Sequence, residues 1–411
     1  MAILGLRDTK SYGDAGFRFE NWRRTILYSF PNGAAPLTAL LSLLRSEDTN
    51  DPIYHWFEKP LPTQRTTVNA NYTNVAATVV VDDSIIRPGH LILNEETGEI
   101  MQVTAVSGAG PYSLTVVRGN WGAAQAGTAG DHIIIIGNLN SEGADVPPSL
   151  SVDPNAKFNY TQIFRTPWDL TGTAMRTSLK FDKTGPYVER MREALNYHAI
   201  EMEKGFIWGK KAEFTDGAGR VVRTTDGVVQ FIPASNIADV DVDAGGNLSL
   251  TLWEHYLERA FRITSNRQNE KLILIGSAAL GVLATIATKT GVINLVPGDE
   301  AFGMEMMKWY TPHGTVYLKT HPLFTQHPVW RHHALVLDVH NLVYRYVTGR
   351  DTTKLTNRQN PGTDARVDEF LTECGLEVHH GDSHFLIKNI RCFSDSLYCP
   401  AAENGVGQEL L

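Results

Sequence analysis

The sequence has few cysteines, no long apolar run and no excess of positive charge, and each absence excludes a class of protein. Only three of its 411 residues are cysteines, namely Cys374, Cys392 and Cys399. An odd number without close spacing does not build a disulfide framework, so a reducing compartment is expected. No apolar run is long enough to cross a bilayer, and the first residues lack the basic and apolar segments of a secretion signal.

The bulk composition is that of a folded protein with more than one module. The formal net charge is -8, with 42% hydrophobic and 20% charged residues. This charge argues against a protein whose main task is to grip nucleic-acid phosphates, although it leaves room for a local basic surface. A chain of 411 residues exceeds one ordinary core, so two or three modules are expected.

The strongest local signal is a long amphipathic helix over about residues 183–208. Its apolar residues recur at steps of three and four, which places them on one stripe: Val188, Met191, Leu195, Ala199, Met202 and Phe206. Asp182 or Thr184 is predicted to cap the first amides, and Gly209 to end the helix. Glu203 falls largely off the stripe and is predicted to face solvent.

Two segments that flank a β-rich stretch are predicted to pair as a long hairpin. Residues 51–64, "DPIYHWFEKPLPTQ", alternate apolar and polar positions, and the expected partner is 148–168. Between them, 66–138 contains short Val-, Ile- and Thr-rich runs separated by Gly and Asn turns, typical of a small sandwich or barrel. An all-β domain inserted at the tip of the hairpin is therefore predicted.

The N-terminal segment is rich in aromatic residues and contains one short helix. The helix is marked by Leu37, Leu40, Leu41 and Leu44. The aromatic residues are Phe17, Phe19, Trp22, Tyr28 and Phe30. Because each loses free energy when left in water, this segment is expected to pack either on another subunit or on its own domain.

The half of the chain after the long helix alternates helices with strands, which predicts a mixed α/β domain. Its expected parts are a hairpin around Gly217 and Gly219, an acidic linker over 238–247, a helix with Leu252, Tyr256, Ala260 and Ile263 turned inward, and a strand over 272–275 that leads through Gly276 into an apolar helix ended by Gly291.

Histidines are the main candidates for chemistry, since nine of the 14 lie between His313 and His384. Two groups could supply metal ligands: His332, His333, Asp338 and His340, and His379, His380, Asp382 and His384. Alternation along a strand would place Asp338, His340 and His332 on one face. A zinc site needs three or four converging ligands and no His-Glu-x-x-His helix is present, so strand-end and loop histidines are the preferred interpretation.

No other constellation indicates catalysis. Ser277 lies between a strand and a helix, but the surrounding residues lack the Gly-x-Ser-x-Gly pattern, so a helix cap is the preferred interpretation. A phosphate-binding glycine loop is absent, and the cysteines have no His-Asn context. We expect no enzyme activity, no catalytic, cofactor-binding or metal-binding residues, and no cofactor.

Several phrases together resemble one protein family. They are "NWRRTILYSFPNGAAPLTAL", "RPGHLILNEETGEIMQVTAV", "LTVVRGNWGAAQAGTAGDHIIIIGN" and "NYTQIFRTPWDLTGTAMRT", which cover much of residues 20–210. With the order of the parts, they resemble the Hong Kong 97-type major capsid protein of tailed bacteriophages, in the family that carries a small β insertion domain in its extended loop. The C-terminal half resembles it in element order alone.

The resemblance implies an α+β, Hong Kong 97-type phage capsid fold with an inserted small all-β domain. The implied parts are an N-terminal arm (1–50), an extended loop (51–65 and 139–175), a β-sandwich or barrel insertion domain (66–138), a spine helix and peripheral domain (176–244), an axial α/β domain (245–390) and a C-terminal tail (391–411). A long hairpin cannot bury both of its faces within one subunit, which independently favours a closed symmetric assembly.

The implied function is a major capsid protein that self-assembles into pentamers and hexamers of an icosahedral shell around double-stranded viral DNA. The implied location is the virion, after assembly in the host bacterial cytoplasm. Scaffolding, cement or decoration, and portal proteins are the implied further partners, with non-specific proximity to packaged DNA and no membrane. Two alternatives stay open: another phage structural protein such as a tail-tube or decoration protein, and a metal-dependent hydrolase that uses the C-terminal histidine cluster.

Overall fold

The structure, a computed structural model, describes residues 36–43, 45–59, 64–82, 85–140, 142–143, 153–177, 185–263, 269–290, 295–301 and 304–393. The predicted aromatic segment, Leu44, the predicted stop at Gly291 and the chain beyond residue 393 therefore lie outside the described residues.

The described helices and strands are as follows in chain order. The helices are α1 Pro36–Leu43, α2 Gly172–Arg176, α3 Pro186–Trp208, α4 Val228–Phe231, α5 Val240–Ala244, α6 Leu250–Phe261, α7 Ser277–Thr290 and α8 Pro322–Gln326. The first twelve strands are β1 Ser46–Thr49, β2 Ile53–Glu58, β3 Arg65–Thr67, β4 Thr78–Val81, β5 His90–Asn94, β6 Ile100–Ser107, β7 Tyr112–Val117, β8 His132–Asn138, β9 Asn155–Tyr160, β10 Gln162–Thr171, β11 Ala212–Thr215 and β12 Val221–Thr224. The others are β13 Ile237–Asp239, β14 Asn247–Leu248, β15 Glu270–Ile275, β16 Leu295–Ala301, β17 Met304–Thr311, β18 Gly314–Thr320, β19 Ala334–Leu337, β20 Leu342–Val347, β21 Thr353–Leu355, β22 Ala365–Val378, β23 Phe385–Lys388 and β24 Cys392–Phe393.

The chain divides into two compact units, of which the smaller is Phe57–Asn155. This unit holds a six-stranded antiparallel sheet in the order β3-β8-β5-β6-β7-β4. A bridge between Val68 and Val81 joins its two edges, so the sheet closes into a small barrel, which leaves neither edge open. Fully buried side chains fill its interior, among them Val79, Ile92, Met101, Leu114 and Ile133.

A single arginine holds two loops against this barrel. The Arg118 guanidinium donates to the carboxylate of Glu99 at 2.7 and 2.5 Å, and both side chains are nearly buried. It also donates to the carbonyls of Thr73 and Ala76, at 2.7 and 3.1 Å, and to that of Gln125. Because a buried charge is tolerated only when it is paired and hydrogen-bonded, Arg118 and Glu99 depend on each other.

The larger unit contains a seven-stranded mixed sheet in the order β13-β23-β19-β15-β18-β17-β16. Alternation along β15 sends Ile273 and Ile275 to one face and Leu272 and Leu274 to the other. The first face packs against α6 and α7, and the second faces a core shared with the C-terminal end of α3. The strand predicted over 272–275 and the helix after it are confirmed.

A second sheet of the larger unit supports α3. Its order is β1-β20-β22-β10, and β21 also pairs with β22. The β10–β22 pair is antiparallel over ten residues, from Gln162 opposite Cys374 to Thr171 opposite Ala365. The helix lies close to this sheet at Gly205, where a Cβ would be only 3.0 Å from the Phe164 ring. The lack of a side chain at Gly205 therefore permits the close approach.

The long helix is confirmed, but its start differs from the prediction. It begins at Pro186, whose fixed φ suits the first turn, and Gly185 occupies the N-cap with φ of 93° and no side-chain cap. The predicted capping residues, Asp182 and Thr184, lie outside the described residues. The predicted end is confirmed, since Gly209 follows the last helical residue.

The buried face of α3 also differs from the predicted stripe. Leu195 is 45% exposed, whereas Glu203, predicted to face solvent, is 0% exposed. The buried residues are Ala194, His198, Met202, Glu203, Phe206 and Ile207. The helix is rotated from the predicted orientation because His198 and Glu203 find polar partners inside, which outweighs the transfer free energy of one leucine.

The predicted hairpin stem is shorter in the structure. β2 pairs with β9 in a two-stranded sheet, as expected for 51–64 and its partner. The predicted pairing extended too far, because Gln162–Thr171 pairs with β22 instead. The strand β22, 14 residues long, was not predicted at all.

Three smaller expectations are corrected. The acidic segment 238–247 is not a linker, since Val240–Ala244 forms α5 with Val240 fully buried. Ile263, predicted to turn inward, is 43% exposed and lies beyond the end of α6. Cys392 is disulfide-bonded, contrary to the expectation of no disulfide, while Cys374 is a buried thiol. No described helix has the length and apolar character to traverse a membrane.

Replacing Arg118 tests how the barrel is held together. Arg118→Met leaves the Glu99 carboxylate buried without its partner, so we expect the free energy of unfolding to fall by about 3–5 kcal/mol. Thermal unfolding of the full chain measures this. The control is Arg65→Met in the same barrel, which breaks the exposed pair with Glu95 and should leave the unfolding temperature nearly unchanged. Equal effects of the two substitutions would contradict the role given to Arg118.

Candidate functional site

The root of the β2–β9 hairpin lies on β22, at a glycine. The Tyr54 hydroxyl donates to the carbonyl of Leu376 at 3.0 Å. A Cβ on Gly375 would stand 2.4 Å from that hydroxyl and 2.8 Å from the carbonyl oxygen of Tyr160. Any side chain at this position would displace the hairpin, so Gly375 is what lets the hairpin lie directly on the strand.

Asn159 fastens the same root with a complete set of hydrogen bonds. Its side-chain amide donates to Thr225 Oγ1 at 3.1 Å and to the carbonyls of Asp226 and Leu376 at 3.2 and 2.8 Å. Its carbonyl oxygen accepts from the amides of Asp226 and Tyr160 at 2.9 and 2.8 Å. Because it is 0% exposed and every polar atom is satisfied, Asn159 fixes the angle at which the hairpin leaves the sheet.

On the strands of this hairpin, the side chains that alternate with the buried ones are exposed to solvent. Along β2, Tyr54, Trp56 and Glu58 are buried, whereas His55 is exposed and Phe57 is 72% exposed. On β9, Phe158 is 37% exposed. Burying an exposed Phe side chain is worth about 1.5–3 kcal/mol, so this face of the hairpin gains free energy when another surface covers it.

A buried carboxylate joins three helices of the larger unit. Glu203 of α3 accepts hydrogen bonds from the Leu37 amide at 2.8 Å and from the amide and hydroxyl of Thr38 at 2.6 and 2.5 Å, all in the first turn of α1. His321, at the N-cap of α8, donates from Nε2 at 2.7 Å, since its Nδ1 accepts from the Leu323 amide. Negative charge at the N-terminus of α1 is also favoured by the helix dipole.

A buried histidine links α3 to its sheet through a chain of hydroxyls. His198 is 0% exposed, with Nδ1 2.9 Å from Thr166 Oγ1 and Nε2 2.7 Å from Thr372 Oγ1. Thr166 donates to the Glu201 carboxylate at 3.2 Å, so it must accept from His198 Nδ1–H. His198 Nε2 then accepts from Thr372, which lies 3.0 Å from Thr352 Oγ1. Burial lowers the pKa of His198, so the ring stays neutral.

The face of β22 opposite α3 carries a row of paired charges. Glu369, Glu373 and Glu377 lie on this face at intervals of four residues, and each is nearly buried. Their partners come from other strands and loops: Arg165 and Arg358 for Glu369, Arg350 for Glu373, and Arg345 and His379 for Glu377. Hydrogen bonding to His379 and Arg345 lowers the pKa of Glu377 in spite of its burial.

The histidines predicted as metal candidates are dispersed. The strand-face argument for His332, Asp338 and His340 is wrong, because β19 spans only Ala334–Leu337 and all three lie in the turns beside it. His333 and His384 are buried, and burial lowers their pKa to about 4 and about 3. Within the described ranges, no three His, Cys, Asp or Glu side chains are grouped so as to hold a metal ion.

Ser277 is the first residue of α7, directly after β15, which is the strand-to-helix position predicted for it. The close packing there is at Gly276, where a Cβ would meet the Arg331 carbonyl oxygen at 2.4 Å. The residue therefore lies at a tight structural turn.

Comparison with known proteins identifies the class. The SU10 major capsid protein family matches residues 9–391. The major capsid protein of Pseudomonas phage PaMx41 is 28% identical over 400 residues, which are 92% of this chain and 94% of that protein.

Two solved structures are also similar. The holo-SrpI encapsulin complex from Synechococcus elongatus PCC 7942 has a TM-score of 0.48 at 10% identity, covering 96% of this chain and 100% of that chain. Mycobacterium phage Bobi has a TM-score of 0.46 at 9% identity, covering 93% and 98%. At these scores neither likeness supports a comparison of individual residues.

The family match extends over far more than half of the chain, so this chain is a structural protein of a tailed phage. This chain belongs to the SU10 major capsid protein family. The predicted role as a phage major capsid protein is confirmed, and the match favours that role over the tail-tube, decoration and hydrolase alternatives. The described residues contain both helices and strands, as the predicted α+β class requires.

The residues that hold the three helices together and fix the root of the hairpin were not predicted from the sequence. Glu203, Asn159 and Gly375 each act through partners far away in the chain, so no local pattern reveals them. Only the regular spacing of Glu369, Glu373 and Glu377 was a usable signal for β22.

Glu203→Gln tests the junction of the three helices. The side-chain NH2 of glutamine would replace one of the two carboxylate oxygens and face either the Leu37 amide or the Thr38 amide, donor against donor. Because the negative charge is lost as well, we expect the free energy of unfolding to fall by about 3 kcal/mol. Denaturant titration of the full chain measures the loss. The control is Glu193→Gln on the exposed face of the same helix, which should cost less than about 1 kcal/mol. A loss no greater than that of the control would contradict the role of Glu203.

Acidification tests the buried histidines. Since His198, His333 and His384 have pKa values below those of an unfolded chain, only the unfolded chain takes up their protons as the pH falls below about 6.5. The free energy of unfolding is therefore expected to decrease from that pH down to about 4, where His333 also takes up a proton in the folded chain, and further to about 3 through His384. His198→Gln should reduce this slope by up to about 1.4 kcal/mol per pH unit. An unchanged slope in the variant would show that His198 titrates normally.

Proposed function

We propose that copies of this chain assemble into the pentamers and hexamers of an icosahedral head shell that encloses double-stranded DNA. The observation that carries the proposal is the hairpin fixed at its root by Asn159 and Tyr54, with Phe57 on its outer face 72% exposed. A rigid projection with an exposed aromatic side chain is suited to a neighbouring subunit, since a flexible one would lose conformational entropy on contact.

A second exposed element supports the same proposal. The β11–β12 hairpin is antiparallel and pairs only with itself within the described residues. Phe214 and Val221 are 52% and 56% exposed on it. Because an isolated two-stranded hairpin is marginally stable in water, contact with another copy would both bury these side chains and stabilise the hairpin.

The division into functional parts follows from this proposal. In it, α3 is the spine helix, residues 1–50 form the arm, and the extended loop is carried by 51–65 and 139–161, since Gln162–Thr171 belongs to the sheet under α3. Phe57–Asn155 contains the insertion domain, 176–244 the peripheral domain with the spine helix, 245–390 the axial domain, and 391–411 the tail.

The proposal extends to location and partners. Assembly takes place in the host bacterial cytoplasm and the product is the virion shell, with scaffolding, cement and portal proteins as partners in that process. The proposal calls for no catalytic centre, metal or cofactor, because shell formation requires only complementary surfaces.

Phe57→Asp tests the hairpin as an intersubunit contact. The substitution places a charge on the proposed interface, so we expect capsomers and shells to be lost while the subunit folds normally. Size-exclusion chromatography and negative-stain electron microscopy of the full chain measure assembly, and circular dichroism checks folding. The control is Val242→Asp on α5, where the replaced side chain is 81% exposed. Shells from the Phe57 variant in wild-type yield would contradict the proposal.

A further inference from the structure

Three arginines of the charged row on β22 line one cavity. The cavity has a volume of about 470 Å³, and its walls include Arg165, Arg350, Arg358, Thr353 and Leu371. Arg165 comes from β10, whereas Arg350 and Arg358 flank β21 on either side. Three separate segments of the chain therefore bring a guanidinium to the same place.

Each guanidinium forms an ion pair with a nearly buried carboxylate of β22. Arg165 donates from Nε and Nη2 to Glu369 at 2.9 and 2.8 Å, and Arg358 Nε lies 3.4 Å from the same carboxylate. Arg350 Nε lies 2.7 Å from Glu373. Because Glu369 and Glu373 are fixed in the middle of β22, the arginines are oriented before any ligand arrives, which lowers the entropy lost on binding.

The three arginine side chains are only partly covered by the protein. Their side chains remain 58%, 44% and 52% exposed for Arg165, Arg350 and Arg358. The closest contacts of Arg350 and Arg358 with these carboxylates are made through Nε, and a planar guanidinium has a second edge that an Nε contact does not occupy. Three guanidinium charges against two carboxylates leave one positive charge in excess at this place, on a chain whose formal net charge is -8.

We propose that this arginine cavity is a binding site for phosphate groups. The planar guanidinium fork matches phosphate oxygens in pairs, and several pre-oriented forks around one concavity suit a tetrahedral oxyanion better than a flat carboxylate partner. Two sources share this chemistry, the phosphodiester backbone of DNA and a small free phosphate anion. The site rests on its own geometry, and the shell proposal does not depend on it.

The test compares two probes on the full-length protein. A short DNA duplex and inorganic pyrophosphate are titrated separately over a series of salt concentrations, against the wild type and the double variant Arg350→Gln/Arg358→Gln. Arg165 is retained in this variant so that Glu369 keeps a partner. Circular dichroism confirms that each variant is folded. The control is Arg262→Gln at the C-cap of α6, which removes a guanidinium of similar exposure that pairs with Glu258.

We expect the double variant to weaken binding tenfold or more, because hydrogen bonds to charged groups are lost. For the duplex, the slope of log affinity against log salt should also fall by about one for each phosphate contact removed. Arg350→Lys/Arg358→Lys should keep most of that slope and still lose affinity, since it retains charge without the fork.

The two probes separate the sources. Binding of the duplex with the expected loss in the variant assigns the site to DNA backbone, and binding of pyrophosphate alone assigns it to a small phosphate anion. If neither probe binds the wild type, or if the double variant binds as the control does, the phosphate site is overturned. The shell proposal is tested separately by Phe57→Asp, so neither outcome of the binding experiment decides it.

Discussion

The buried carboxylate of Glu203 is the constraint on which the larger unit depends. A charge without water is stable only where several donors converge, and here α1 supplies three and His321 a fourth. These groups lie on three helices that are far apart in the sequence. The carboxylate is therefore satisfied only when α1, α3 and α8 are all in place, which makes the junction cooperative.

The strand β22 extends this order across the sheet. One of its faces packs on α3 through apolar side chains and the hydroxyls around His198, and its other face holds the glutamates that orient four arginines. Gly375 leaves a gap in the same row where the hairpin is seated. One strand thus supports the long helix, the root of the β2–β9 hairpin and the arginine cavity.

Elements with a strong local period were predictable from the sequence. The helix over 183–208, the hairpin around Gly217 and the strand-to-helix turn at Gly276 are set by neighbours within a few residues. The sequence predicted Glu203 to face solvent because its partners in α1 are 165 and 166 residues away. The strand β22 was not predicted because acidic residues stand on both of its faces, and most of the partners that make their burial favourable come from other segments of the chain. The family was recognisable from short phrases, while the residues of the junction were not.

Amide hydrogen exchange at Leu37 and Thr38 tests the central claim most directly. If their amides donate to a buried carboxylate, they open only when the junction unfolds, so they should be protected as strongly as amides in the middle of α3. Exchange at the rate of an unstructured peptide, while the middle of α3 stays protected, would show that α1 is not held by Glu203 and would contradict the claim.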